Sequence, residues 1–187
     1  MGQQFKSLED KHTQFIEQQA MFFVGTAAAE GRVNVSPKGG DSLRVVNENK
    51  LVWMNLTGSG NESASHVLHN NRMTLMWCAF EGAPLILRCY GHAQVLHKAD
   101  VAWPDYAAMF PDYTGARQIF VLNIDLVQAS CGMSVPLMDY VEDRQALNKW
   151  ADKQGVKGIE SYWLKKNQHN LDGLATEIAQ RSGISKA

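Results

Sequence analysis

Between residues 21 and 127, short strand-forming runs follow one another with turn-forming clusters between them, and most of the connections are only a few residues long. This rhythm constrains the fold more than any other feature. Parallel strands need crossovers of about a dozen or more residues, whereas antiparallel strands close through tight turns. The first run, residues 21–27, is apolar and rich in strand formers. Glu30-Gly31 marks a turn, and residues 32–38 alternate, with Val33 and Val35 set against Arg32, Asn34 and Ser36. The two runs read as a hairpin whose second strand is half-buried. Residues 42–46 and 50–55 form a second pair around Asn47-Glu48-Asn49, and residues 73–80, 85–96 and 118–127 supply three more strands. Six or seven mostly antiparallel strands, with helices inserted late, favour a closed barrel over a doubly wound sheet. Closure also protects strand edges.

Helices are expected at 62–70, with Ala64, Val67 and Leu68 on one face, and at 101–110, starting at Pro104. An N-terminal helix is expected to open with Ser7 as cap and Asp10 in the capping-box position, burying Leu8, Phe15 and Ile16. After Ser130 the character changes. Residues 131–140 read as an ordered loop, 142–154 and 159–166 as helices, and 172–187 as weakly helical. We therefore expect a barrel domain over 1–140 and a helical extension over 141–187 that packs on the barrel or on a second copy.

The chain has 18 basic and 19 acidic residues, a net charge of -1. That balance argues against a general nucleic-acid binder but leaves room for a local positive pocket. Three cysteines, Cys78, Cys89 and Cys131, with no CxxC spacing, argue against a disulfide framework or a cysteine-built zinc site. Residues 1–10 lack an apolar signal region, and no apolar run approaches the ~20 residues that cross a bilayer. These features point to a cytoplasmic protein with no membrane partner.

Two segments carry candidate chemistry. The loop Thr57-Gly58-Ser59-Gly60-Asn61-Glu62-Ser63 lies between a strand and a helix. Its glycines allow close backbone approach, the helix start offers free N–H groups, and Thr57, Ser59, Asn61 and Ser63 add short donors. It reads either as a phosphate cradle or as a polar loop with Asn61 capping a helix. It fits neither a P-loop nor a dinucleotide fingerprint. The second segment is Asn34-Val35-Ser36-Pro37-Lys38-Gly39-Gly40, where Pro37 gives no ladder hydrogen bond and Lys38 is available to an anion or to solvent.

Taken together and in this order, these segments resemble the pyridoxamine-5′-phosphate-oxidase-like flavin-binding proteins. The resemblance extends through Phe22-Phe23-Val24-Gly25-Thr26, Asn70-Asn71-Arg72-Met73-Thr74, Arg88-Cys89-Tyr90-Gly91-His92, Gly115-Ala116-Arg117-Gln118 and Ser130-Cys131-Gly132-Met133. It implies a mainly β fold, a six-stranded antiparallel split β-barrel with peripheral helices. It further implies a homodimer that holds FMN in a cleft and acts as an oxidoreductase on a small-molecule redox substrate. By residue-wise carry-over, Thr57, Gly58, Asn61 and Ser63 approach the phosphate, and Asn34, Val35, Ser36, Pro37 and Lys38 line the flavin. A flavin carrier or sensor without turnover, and a haem- or deazaflavin-binding barrel, are the other readings the resemblance leaves. Two departures matter. Glu62 and Ser63 stand where the oxidase carries an Arg-Lys pair, a change that Lys38 or Arg72 would have to offset, and no Arg-x-His pattern follows Cys131. The resemblance therefore carries flavin binding rather than oxidation of pyridoxamine phosphate itself.

Arg117 reads either as a surface arginine or as a partner for the phosphate or a substrate carboxylate, reaching across the dimer. His66 and His69 lie three apart on a helix, but neither a carboxylate nor a cysteine completes a metal set, so no metal is expected. No side chain stands out as an acid or base, and no catalytic residue is assigned.

Overall fold

The computed structural model describes residues 2–184. Its core is one curled antiparallel sheet built from β2 (Met21–Thr26), β3 (Asn34–Gly39), β4 (Leu43–Asn47), β5 (Lys50–Leu56), β6 (Arg72–Cys78), β7 (Ile86–Leu96) and β8 (Ala116–Ser130), in the order β3-β2-β6-β7-β8-β5-β4. A further strand, β1 (Gln3–Phe5), pairs with β8. The described residues thus hold eight strands where six were expected for the barrel. β1 was invisible in the sequence because three residues, two of them glutamines, carry no period. It forms where β8 runs on past the residues that β5 pairs, 116–123, and offers an open ladder at 127–129.

The sheet curls into a half-barrel around Phe22, Val24, Leu51, Trp53, Leu75, Trp77, Leu87, Cys89, Phe120 and Leu122, all buried. Trp53 and Phe120 stack with ring centroids 4.5 Å apart. β5 is buried on both faces, because Val52 and Met54 turn outward under α3 (Trp103–Ala107) and join Ile119 and Val121 in a second cluster. Pro104 sits in the first turn of α3, as its fixed φ favours. β7 and β8 are the longest strands, and they bend at a bulge by Gly91. A Cβ there would lie 2.0 Å from the Asn123 carbonyl oxygen, so only glycine fits.

α1 (Asp10–Gln18) buries Ile16 against the barrel, with Leu8 just before it. Its cap is Glu9, whose N–H donates to His12 Nδ1 at 3.1 Å, and not Ser7. Leu8 is drawn into the core and its N–H donates to the Glu48 carbonyl, which keeps residues 7 and 8 outside the helix. α2 (Glu62–His69) closes one end of the cleft described below. α4 (Ala146–Lys166) covers the two expected helices, the first starting at residue 146 rather than 142, joined at Gly155, whose φ of 63° breaks the helical path. Of the expected helical segment 172–187 only α5 (Ile178–Arg181) forms; residues 172–177 are turn and loop, and the part beyond residue 184 lies outside the described residues. Trp163, Ala151, Ile159 and Ile178 form a third buried cluster within the extension. Arg181 fastens it to the barrel through Asp100 and the Val95 carbonyl. Among the described residues no helix is long and apolar enough to cross a membrane.

β3 differs from the sequence expectation in its facing. Val33 and Val35 are 72% and 64% exposed, while Asn34, Ser36 and Lys38 turn inward. β3 is the edge of the sheet, paired only with β2, so its inner face meets a polar cleft rather than the apolar core.

Candidate functional site

The inward side chains of β3 form one wall of a cleft of about 390 Å³. The opposite wall is the 58–61 loop with Glu62 and Ser63 of α2, and the floor is Trp53 and Asn55 of β5 with Arg117 of β8. The strand pairing explains the assembly. β5 ends in the loop, and a register irregularity next to Asn55 places Leu56 opposite Ala116, which brings Arg117 under the loop.

Arg117 is only 3% exposed. Its Nη1 donates to the carbonyls of Gly58 (3.2 Å) and Gly60 (2.9 Å) and to Asn167 Oδ1 (2.9 Å). Its Nε is buried with no protein partner among the described residues. Burial pulls the guanidinium down to about 10, a shift that the nearby Glu62 carboxylate opposes, so it stays charged at neutral pH. Lys38 lies over the Trp53 ring, with Nζ 5.2 Å from the centroid. Burial first, and the Arg117 charge second, lower its ammonium to about 8, again against Glu62. Two cations and one carboxylate therefore share the cleft. Glu62 folds back over Gly60, its carboxylate lying where a Cβ would sit, whereas Gly58 faces open space.

The short polar side chains form a chain of their own. Ser36 Oγ donates to Asn34 Oδ1, and Asn34 Nδ2 donates to Ser63 Oγ, both at 3.2 Å. Ser63 Oγ also bonds Thr26 Oγ1 (3.2 Å), which in turn meets His66 Nδ1 (3.1 Å). His66 is thus buried in a structural hydrogen bond, and burial lowers its pKa. Among the described residues no group of three or more potential metal ligands is found.

Of the ten residues singled out in the sequence, eight line the cleft: Asn34, Ser36, Pro37, Lys38, Gly58, Asn61, Ser63 and Arg117. Val35 does not; it points outward, as strand alternation requires of the neighbour of two inward residues. Thr57 is fully buried behind the loop, where its Oγ1 donates to the Gly115 carbonyl and accepts from Trp163 Nε1, both at 2.9 Å. Arg72 stands away from the cleft, with its Nε on Asn70 Oδ1, so Arg117, not Arg72, joins Lys38 in facing Glu62. Asn61 caps α2 without a side-chain bond to the helix. Its Nδ2 donates instead to the Asn167 carbonyl, and its Oδ1 is buried without a partner. Sequence reasoning missed Trp53, Asn55, Trp163 and Asn167. Trp53 and Asn55 look like any strand residues, and Trp163 and Asn167 lie about a hundred residues downstream with no local motif to join them to the loop.

The donors suit a ligand that carries an anionic group and a planar, hydrogen-bonding body. The α2 start supplies free N–H groups and the positive end of a helix dipole. Arg117 Nε and Asn61 Oδ1 are buried without a hydrogen-bond partner among the described residues, a costly condition.

The family model for pyridoxamine 5′-phosphate oxidase matches residues 8–131. A curated relative, the pyridoxamine 5′-phosphate oxidase family protein ustO of Aspergillus flavus, is 34% identical over 188 residues, spanning 91% of this chain and 76% of the relative. Among solved structures, a candidate pyridoxamine 5′-phosphate oxidase from Lactobacillus delbrueckii superposes with a TM-score of 0.53 at 20% identity, covering 66% of this chain and 94% of the other. HupZ of Group A Streptococcus gives 0.51 at 15% identity, covering 64% and 91%. At these identities the two structures speak for the split-barrel fold alone.

Proposed function

The chain belongs to the pyridoxamine 5′-phosphate oxidase family, and on that premise we propose that it binds FMN in the cleft between β3 and the 58–61 loop and acts as an FMN-dependent oxidoreductase on a small-molecule substrate. One observation carries the reading: two buried or half-buried cations, Lys38 and Arg117, meet the N-terminus of α2 and the polar inner row of β3 around a single cleft. The phosphate belongs at the loop end, near the α2 amides and Arg117. The planar ring belongs along Asn34, Ser36 and Lys38, beside Trp53.

A bound flavin supplies hydride acceptance and release. The chain's own residues bind, orient and set the charge around it. Lys38 Nζ, with a pKa of about 8, carries its proton in most molecules at neutral pH and exchanges it readily. That charge would stabilise negative charge building up on a neighbouring ring. Glu62 and Ser63, which stand where an Arg-Lys pair would, and the lack of an Arg-x-His pattern after Cys131 argue that pyridoxamine phosphate is not the substrate.

A homodimer in the cytoplasm completes the proposal. Val33, just before edge strand β3, and Val35, on its outer face, are both exposed and offer an apolar surface to a second copy. The absorbance spectrum of the purified protein, with and without added FMN, tests the cofactor. Flavin bands at about one equivalent per chain support it, and a colourless protein that takes up no FMN overturns it. Reduction by NADH or NADPH with onward transfer to an acceptor distinguishes an enzyme from a flavin carrier. Failure to form pyridoxal phosphate is expected.

A further inference from the structure

The loop wall of the cleft is held from behind, by the C-terminal extension and above all by one side chain. Asn167 follows α4 directly and is fully buried. Its Nδ2 donates to the Gly58 carbonyl (3.1 Å) and the Ser59 carbonyl (3.3 Å). Its Oδ1 accepts from Arg117 Nη1 at 2.9 Å, and its main-chain carbonyl accepts from Asn61 Nδ2 at 3.1 Å. One turn earlier, Trp163 Nε1 reaches Thr57 at 2.9 Å. A primary amide has two donor hydrogens and one acceptor oxygen. Here both ends are engaged on one short loop and on the cation beneath it.

The family match stops at residue 131, so Asn167 lies beyond the part of the chain that the match describes. We propose that Asn167 is a positioning residue of the cleft: it fixes the 57–61 loop and the Arg117 guanidinium relative to one another, and thereby sets the preference for a phosphate-bearing ligand. The identity of that ligand rests on the FMN reading; the positioning does not. The physical reason is geometric. Arg117 Nη1 is committed to Gly58, Gly60 and Asn167, which leaves Nε free of protein partners. Without the Asn167 amide, the carbonyls of Gly58 and Ser59 lose donors in a place that water reaches poorly, and the guanidinium loses one of its three acceptors. Loop and arginine then drift independently, and a site that depends on both loses its anion selectivity first.

The test compares wild type with Asn167→Ala and Asn167→Asp in the full chain, by two measurements. The first is amide hydrogen exchange without ligand. Exchange across 57–63 is expected to rise about tenfold or more in Asn167→Ala while β6 and β7 stay protected. The second is titration with FMN and with riboflavin, which lacks the phosphate. Affinity for FMN is expected to fall roughly 10- to 100-fold and affinity for riboflavin less than about threefold. Asn167→Asp keeps an acceptor for Arg117 but no donor for the Gly58 and Ser59 carbonyls, so exchange at 57–63 is expected to stay raised and FMN affinity to stay low; it serves as the second variant if Asn167→Ala does not fold. Unchanged exchange at 57–63 overturns the proposal. So does a uniform rise over the whole barrel with equal loss of both flavins, which is what a purely structural role produces. A wild type that binds no flavin overturns the FMN reading and leaves the exchange measurement to decide the positioning.

Discussion

The two walls of the cleft are built on different plans. The loop wall is locked: Thr57, Arg117, Trp163 and Asn167 behind it all hydrogen-bond within the protein, to one another, to the loop carbonyls or to Gly115. The β3 wall is an edge strand with one neighbour, and its cation, Lys38, has no hydrogen-bond or ion-pair partner among the described residues beyond the face of Trp53. Both cations are driven down by burial, yet only Arg117 is hydrogen-bonded within the protein, through its Nη1. Charge on the loop wall belongs to the architecture, whereas charge on the strand wall is held against the fold's preference. Strain of that kind collects where a ligand is meant to relieve it.

The sharpest way to break this contrast is to neutralise each cation in turn, because the stability effects should have opposite signs. Arg117→Met leaves the Gly60 carbonyl and Asn167 Oδ1 without their donor and the Gly58 carbonyl with only Asn167 Nδ2. We expect a loss of about 2–3 kcal/mol in chemical denaturation and a fall in FMN affinity of about 100-fold or more. A stable variant that still binds FMN tightly would show that the arginine is dispensable to both.

Lys38→Met should weaken FMN binding about tenfold while stabilising the apoprotein, on the order of 1–2 kcal/mol, because a poorly solvated charge is replaced by an apolar chain of similar length. The pH dependence carries the same sign. The folded value of about 8 lies below the ordinary 10.5, so the unfolded chain holds the proton more firmly. The penalty is therefore fully present below about pH 8 and fades as the pH rises toward 10.5, so stability climbs across that window. Thermal melts of wild type should show the climb and melts of Lys38→Met should lack it. Parallel curves would mean that Lys38 is solvated after all, and the contrast between the walls would fail.

The same contrast explains what the sequence made legible. The strands announced themselves by period and turn chemistry, and the 57–63 loop and the 34–38 run by small residues in a known order. All of that is local. The facing of β3 was not local: Val33 and Val35 alternate with polar residues whichever side they face, and only the position at the sheet edge turned the valines outward. Arg117 was singled out, but a Gly-Ala-Arg run is as natural on a surface as in a cleft, and its burial comes from the β5–β8 register, which the sequence does not show. Asn167 gave no signal at all. Its function lies in contacts made more than a hundred residues back along the chain. β1 was missed because three residues have no period.

The smallest effect tests whether the walls act independently. Asn34 bonds Ser36 on its own strand and Ser63 on α2, and shares no hydrogen-bond partner with Asn167. Asn34→Ala should loosen FMN about threefold and change stability by no more than about 1 kcal/mol, since Ser63 keeps Thr26. Combined with Asn167→Ala, its effect on binding free energy should add to within about 0.5 kcal/mol, as expected for sites without shared partners. A coupling well above 1 kcal/mol would mean that α2 passes strain from one wall to the other, through Ser63 on one side and Asn61 on the other. The locked wall would then set the geometry of the open one, and the cleft would have to be treated as a single unit.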